Sequence, residues 1–220
     1  MPITGIYEID SLIGYIPRGW IVEFYGDYKV VKPLMHQTLA YQSKYYDTLL
    51  IHSREFGGLD PYLLNRLVKR SNGDIDRIHV VRGFRLQDVI ESLINESLGE
   101  YGVIVLAYPY RYVPGNPAAY TEASRITGLI KKLAVNRRVI VFNEVSKNGY
   151  YYPDGGSLHH HTVHVIVGVW ARPGDRVTIR LFKHPWKPVG LTTTTNYNRI
   201  IGEKPWVAQH RLTEWLYIKN

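Results

Sequence analysis

Apolar residues cluster along this chain in five short runs: WIVEFYG at 20–26, DTLLIHS at 47–53, IHVVRGF at 78–84, GVIVLAY at 102–108 and RVIVFNEV at 138–145. Runs this apolar and β-branched, with 17 to 29 residues between them that carry helical patterns, predict strands of a parallel sheet covered on both faces. The intervening segments 33–45, 60–71, 86–99 and 118–135 read as helices. In the third, Leu86, Val89, Ile90, Leu93, Ile94 and Leu98 recur at steps of three and four and make one apolar stripe. After residue 157 the helical spacers vanish, and two strand-like runs flank a Pro-Gly-Asp turn. An antiparallel edge within 162–183 is therefore expected. The fold class is α/β with a mostly parallel sheet. No repeat or linker interrupts it, so 1–190 reads as one core, and 191–220, which opens with TTTT, reads as a tail docking through Trp206, Leu212 and Trp215.

Composition narrows the setting. A chain of 220 residues suits one substantial core, and 45% hydrophobic with 21% charged residues is the balance of a folded protein. Without cysteine there is neither a disulfide framework nor a thiolate metal site. The segment MPITGIYEID carries acids where a signal peptide needs an apolar run, and no stretch is long enough to span a membrane, so a soluble, cytoplasmic protein is expected. A net charge of +8 points to a polyanionic partner, most simply nucleic acid. Eighteen tyrosines against five phenylalanines supply flat rings with polar tips, suited to stacking on bases or to protein interfaces.

The segment FYGDYKVVKPLMHQ, from Phe24 to Gln37, has the outline of a phosphate-binding loop without its chemistry. In G-x-x-x-x-G-K-[ST] the glycines let backbone N–H groups converge on phosphate, the lysine neutralises it and the hydroxyl holds magnesium. Here Gly26 and Lys32 keep the first glycine and the lysine. Val31 replaces the second glycine, and Pro33 replaces the hydroxyl residue. A β-branched residue disfavours the required backbone angles, and proline offers neither N–H nor ligand.

Beyond that segment, the chain resembles the ATPase core of the RecA-superfamily recombinases, particularly the archaeal RadA and RadB type. TGIYEIDSLIGYIPRG (4–19) is similar to the family's lead-in to its first strand, and HQTLAYQ to its H-Q-L-A run. IDRIHVVRGF, VIVLAYPYRYVPG, VIVFNEVSKNG, GGSLHHHTVHVIV and RVTIRLFKHPWKPVG follow in the family's order over about residues 3 to 190. The resemblance implies a RecA-like three-layer αβα domain. It also implies that the magnesium aspartate is replaced by Leu106 or Ala107. The acid that positions water becomes Arg54, with Glu55 beside it, and the γ-phosphate sensor becomes Glu144. Phosphoryl transfer depends on positioning and charge stabilisation. The expectation is thus a pseudo-ATPase with no catalytic residues, no cofactor, ATP binding unfavourable, and Gly26 and Lys32 as a vestige.

Two loops carry the expected nucleic-acid chemistry. SKNGYYYPDGG (146–156) sets Tyr150, Tyr151 and Tyr152 beside Lys147 where the resemblance puts the family's second DNA-binding loop, and YPYRYVPGN (108–116) offers Arg111 and Tyr112 at the first. The rings could stack on unpaired bases while Arg111 and Lys147 meet phosphate; alternatively, these tyrosines form a protein interface. HHHTVH (159–164), read as a strand, puts His159 and His161 on one face and His160 and His164 on the other, which does not make a metal site. Because the match starts almost at the first residue, the family's polymerising segment is not expected. The resulting expectation is an inactive recombinase paralogue that binds DNA, single-stranded by preference, and assists a RadA-type recombinase in homologous recombination or repair. Its rivals are a divergent ATPase holding nucleotide through Lys32 and a purely protein-binding scaffold.

Overall fold

The run 20–26 becomes β1 (Ile21–Gly26), around which the sheet is built. The structure, a computed structural model, describes residues 2–53, 58–95, 99–113, 120–146 and 152–203. β1 pairs in parallel with β5 (Arg138–Asn143) on one side and β6 (Val165–Arg172) on the other. Beyond β5 lie β4 (Val103–Ala107), β2 (Thr48–His52) and β3 (Ile78–Arg82), all parallel. Beyond β6 come β7 (Arg176–Lys183) and β8 (Thr192–Asn196), each antiparallel to its neighbour, giving the order β3-β2-β4-β5-β1-β6-β7-β8. The mostly parallel sheet with an antiparallel edge thus stands as expected. The four threonines of 192–195, read as the opening of a tail, instead form that edge's outer strand, where β-branched residues are at home. Trp206, Leu212 and Trp215 lie outside the described residues.

Helices cover both faces. On one side α1 (Tyr7–Ile13), α2 (Tyr28–Gln42), α3 (Pro61–Ser71) and α7 (Tyr197–Ile201) pack over Val22 and Phe24 of β1. On the other, α4 (Leu86–Asn95) and α5 (Tyr120–Ala134) pack over Ile21 and Tyr25. The period-two alternation of β1 therefore feeds two cores. Phe24 stacks on Phe142 of β5 with ring centroids 5.4 Å apart, locking the central pair.

Two elements differ from the sequence reading. Helix α1 was not anticipated; it is anchored by Asp10, whose carboxylate accepts the N–H groups of Ile3, Thr4 and Gly5 at 2.8–3.0 Å. The histidine run is helical. Gly155 and Gly156, both at positive φ, turn the chain into α6 (Gly156–Thr162), so His159, His160 and His161 radiate around a helix rather than alternating on a strand. Only His159 is fully buried. Among the described residues no group of three or more His, Asp or Glu is placed to hold a metal ion, and no helix is long and apolar enough to cross a membrane.

Burial holds the imidazoles of His36, His160, His164 and His184 below their ordinary value of 6.5. The folded state therefore resists protons that the unfolded chain accepts, so stability is complete above 6.5 and is lost as pH falls below it. Melting followed by circular dichroism should give a Tm that is flat above about pH 7 and declines from about pH 6.5 towards 5. A Tm that rises across that interval would contradict the burial of these rings.

Candidate functional site

In open α/β sheets, ligands bind outside the carboxyl ends of the strands. Here that rim is formed by β4, β5, β1 and β6, and of the described candidates Gly26 ends β1 while Arg111, Tyr112 and Tyr152 lie in the segments that follow β4 and β5.

The turn after β1 is where sequence and structure part most clearly. Only Asp27 separates Gly26 from α2, which starts at Tyr28, five residues before the helix expected at 33. Residues 28–32, expected to form a vestigial phosphate loop, are helix. Val30 and Val31 donate their N–H groups to the Asp27 carbonyl at 2.8 and 2.9 Å. The Asp27 carboxylate, at the mouth of this helix, accepts the Ala171 N–H at 2.8 Å. Gly26 has its own reason here: at φ 136° it lies against β6, where a Cβ would run into the Val169 carbonyl. Close strand packing, and not phosphate, requires this glycine.

Pro33 is buried inside α2, at its sixth residue rather than in the first turn. Lacking an N–H, it leaves the Lys29 carbonyl without its intrahelical donor. The Tyr197 hydroxyl of α7 donates to that carbonyl at 3.2 Å. Burial raises the Tyr197 pKa, with Glu203 and Asp175 adding to the shift, so the phenol keeps the proton it donates.

Aromatic rings fill the crevice beside this helix. Tyr108, just past β4, adopts the left-handed φ of 58° that non-glycine residues avoid. Its buried ring lies 6.0 Å from Tyr28 and 5.9 Å, edge on, from His52 at the end of β2. Leu106 and Ala107, where the resemblance puts a magnesium acid, are buried in the two cores. His36 bolts α2 to α3: its Nε2 accepts the Asp60 N–H at 2.8 Å, so its Nδ1 donates to the Lys32 carbonyl at 2.7 Å. Arg54 and Glu55 lie outside the described residues.

The two candidate loops are joined at their roots. Arg111 donates to Glu144 at 3.2 Å, an ion pair that links the loop after β4 to the loop after β5 and engages part of a guanidinium expected to be free for phosphate. Tyr112 is half-buried and packs against the second core cluster, which holds its ring back from solvent. The second loop is pinched shut by Asp154 N–H to Glu144 carbonyl at 3.0 Å and Ser146 N–H to Tyr152 carbonyl at 2.8 Å. Tyr152, 59% exposed, stands at the root, with His160 edge on to its ring at 5.4 Å. A cavity of about 350 Å³ opens there between Ser146, Tyr152, Gly156 and His161. Lys147, Tyr150 and Tyr151 lie outside the described residues.

Beneath these loops is a buried polar chain that the sequence reading did not single out. Glu23 of β1, fully buried, accepts from His159 of α6 and from Asn143 of β5, both at 2.9 Å. The other ring nitrogen of His159 lies 2.7 Å from the Tyr110 hydroxyl, which is 2.8 Å from Thr127 of α5. Asn143 also donates to the Asp154 carbonyl at 2.8 Å, tying the second loop to the strand. The signal was available: one acid in an otherwise apolar run demands a partner.

No family model matches the chain, and no curated protein matches it. Solved structures do. The crystal structure of the RadB recombinase matches with a TM-score of 0.74 at 20% sequence identity, over 89% of this chain and 96% of that one. The likeness is one of fold, and it agrees with the RecA-like three-layer architecture expected from sequence.

Removing one partner of a buried hydrogen-bonded pair leaves the other polar group unsatisfied and costs about 1 to 3 kcal/mol. His159→Ala should therefore destabilise the protein by about 1 to 3 kcal/mol in urea unfolding, and adding Glu23→Gln should recover part of that loss. Additive losses would show that the two side chains do not act as a pair. A smaller effect is expected at Pro33: Tyr197→Phe should cost about 1 kcal/mol in the parent and close to nothing in a Pro33→Ala background, where residue 33 supplies the missing N–H itself. Equal losses in both backgrounds would separate Tyr197 from the proline.

Proposed function

We propose that this protein is a catalytically inactive recombinase paralogue. It binds single-stranded DNA through the two rim loops and assists a RadA-type recombinase during recombination or repair. The observation that carries the reading is the conversion of the phosphate loop into helix. A triphosphate needs converging N–H groups, a cation and a metal ligand. Residues 28–32 are already turns of α2, Asp27 brings negative charge to the helix mouth, and Tyr108, Tyr28 and His52 occupy the adjoining crevice. The rim nonetheless keeps what a nucleic-acid platform needs: a pinched loop with an exposed tyrosine at its root, pinned from below by the Glu23 chain. The net charge of +8 supports a polyanionic partner.

Two measurements test this reading. With magnesium and DNA present, ATP turnover should be no faster than in Lys32→Ala; a rate that vanishes in that variant would end the pseudo-ATPase proposal. Each stacked base is worth about 1 to 3 kcal/mol, so replacing Tyr150, Tyr151 and Tyr152 by alanine should weaken single-strand binding at least about tenfold in fluorescence anisotropy. Parent-like binding by that variant would make the loops protein interfaces.

A further inference from the structure

A cavity of about 760 Å³ on the rim lies outside the two tyrosine loops. One wall is the start of α2 and of α3, bearing Lys29, Lys32 and Arg66. The other is the β6–β7 turn, bearing Arg172 and Arg176. Arg66 is held by Glu203 at 3.7 Å and by the Ile201 carbonyl at 3.1 Å, which leaves Lys29, Lys32, Arg172 and Arg176 facing two acids of the lining, Asp60 and Asp175. The Asp60 carboxylate is engaged by the Leu63 N–H at 3.0 Å, a bond that lowers its pKa, helped by Lys32 nearby. Arg172 and Arg176 make their bonds, to Thr178 and to the Pro173 carbonyl, through Nε, and Lys29 and Lys32 form no ion pair among the described residues. Three tyrosines, Tyr28, Tyr62 and Tyr197, share the lining, and Tyr62 is 90% exposed.

A compact polyphosphate suits this place poorly, because the neighbouring helix mouth holds the Asp27 carboxylate, and the Val30 and Val31 N–H groups are committed to the Asp27 carbonyl. The cations are instead spread along two walls with a free aromatic face among them, which is how single-stranded nucleic acid is held: phosphates on separated cations, a base on a ring. An acidic peptide could use the charges but has no general use for the exposed ring of Tyr62. The groove also lies in line with the loops. Its β6 wall is three strand spacings from β4, about 14 Å, so a strand crossing the rim could meet both.

We propose that this groove is a second binding site for single-stranded nucleic acid, contacting the backbone through Lys29, Lys32, Arg172 and Arg176 and stacking a base on Tyr62. The site is independent of the loop reading.

Anisotropy with a labelled oligothymidine at several salt concentrations tests it on the full chain. Lys29→Ala with Lys32→Ala should reduce the slope of log affinity against log salt by about 1.4, two contacts at about 0.7 each. Tyr62→Ala should weaken binding about tenfold with the slope unchanged. Tyr62 is so exposed that this variant tests the groove even if the double lysine variant fails to fold, which circular dichroism would show. Parent-like affinity and slope in a folded double variant together with Tyr62→Ala would overturn the proposal. So would displacement of the oligonucleotide by inorganic tripolyphosphate at equimolar concentration, which would make this a small-anion site, or equal Lys29 and Lys32 dependence for a labelled oligoglutamate, which would make it a peptide site. If the groove variants weaken binding and the tyrosine-loop variant does not, the groove stands and the loop reading falls; the reverse result separates them the other way.

Discussion

A backbone N–H can donate strongly in only one direction, and in this protein the Val30 and Val31 N–H groups that follow β1 donate along a helix, to the Asp27 carbonyl. The rest of the rim follows from that constraint. In a phosphate loop the same amides point outward at an anion and the chain must detour around it. Here Asp27 alone makes the turn, α2 begins at once, and residues 28–32 form its first turns. This early start puts Pro33 inside the helix, where its missing donor is replaced by Tyr197 from the far end of the described chain. It also brings Tyr28 up beside Tyr108, whose ring meets His52, so aromatic rings fill the crevice beside the helix.

The second organising feature is the buried carboxylate of Glu23. Its strand neighbours point into two apolar cores, and it can stay only because α6 and β5 deliver His159 and Asn143 to it. Both bonds fall on one carboxylate oxygen, Oε1, while Oε2 is buried without a hydrogen-bond partner among the described residues. The network joins β1, β5, α5 and α6 and ties the root of the second loop through the Asp154 carbonyl. The roots of the rim loops are thus fastened to the sheet by hydrogen bonds of described residues.

The architecture was legible in the sequence because hydrophobic periodicity reports burial, and burial decides a two-faced sheet. The strand runs, the helix stripe of Val89, Ile90 and Leu93, and the antiparallel turn at Pro173 to Asp175 all follow from it. What was misread depended on long-range partners. The histidine run looked like a strand because it leads directly into one, and the paired glycines before it, at positive φ, are what let a helix begin at 156. The start of α2 was placed late because Pro33 suggested a first turn, and the Tyr197 hydroxyl that makes an interior proline tolerable is 168 residues away from Lys29. Arg111 looked like a free cation because Glu144, its partner, is 33 residues on. The cations of the large cavity were invisible for the same reason, since Lys29, Arg66 and Arg176 meet only when three separate segments converge.

The separation between Glu23 and His159, 136 residues, also bears on how the chain is made. A nascent chain emerges from its amino end, so β1 leaves the ribosome long before either strand that will flank it. Were β1 wholly apolar, it would be free to pair with whatever strand appeared next. A carboxylate at its centre makes such early burial costly until the imidazole and the asparagine arrive. Burial of the Glu23 carboxylate is therefore coupled to the placing of residues 120 and 136 positions further along the chain, which ties the middle of the sheet to its carboxyl half.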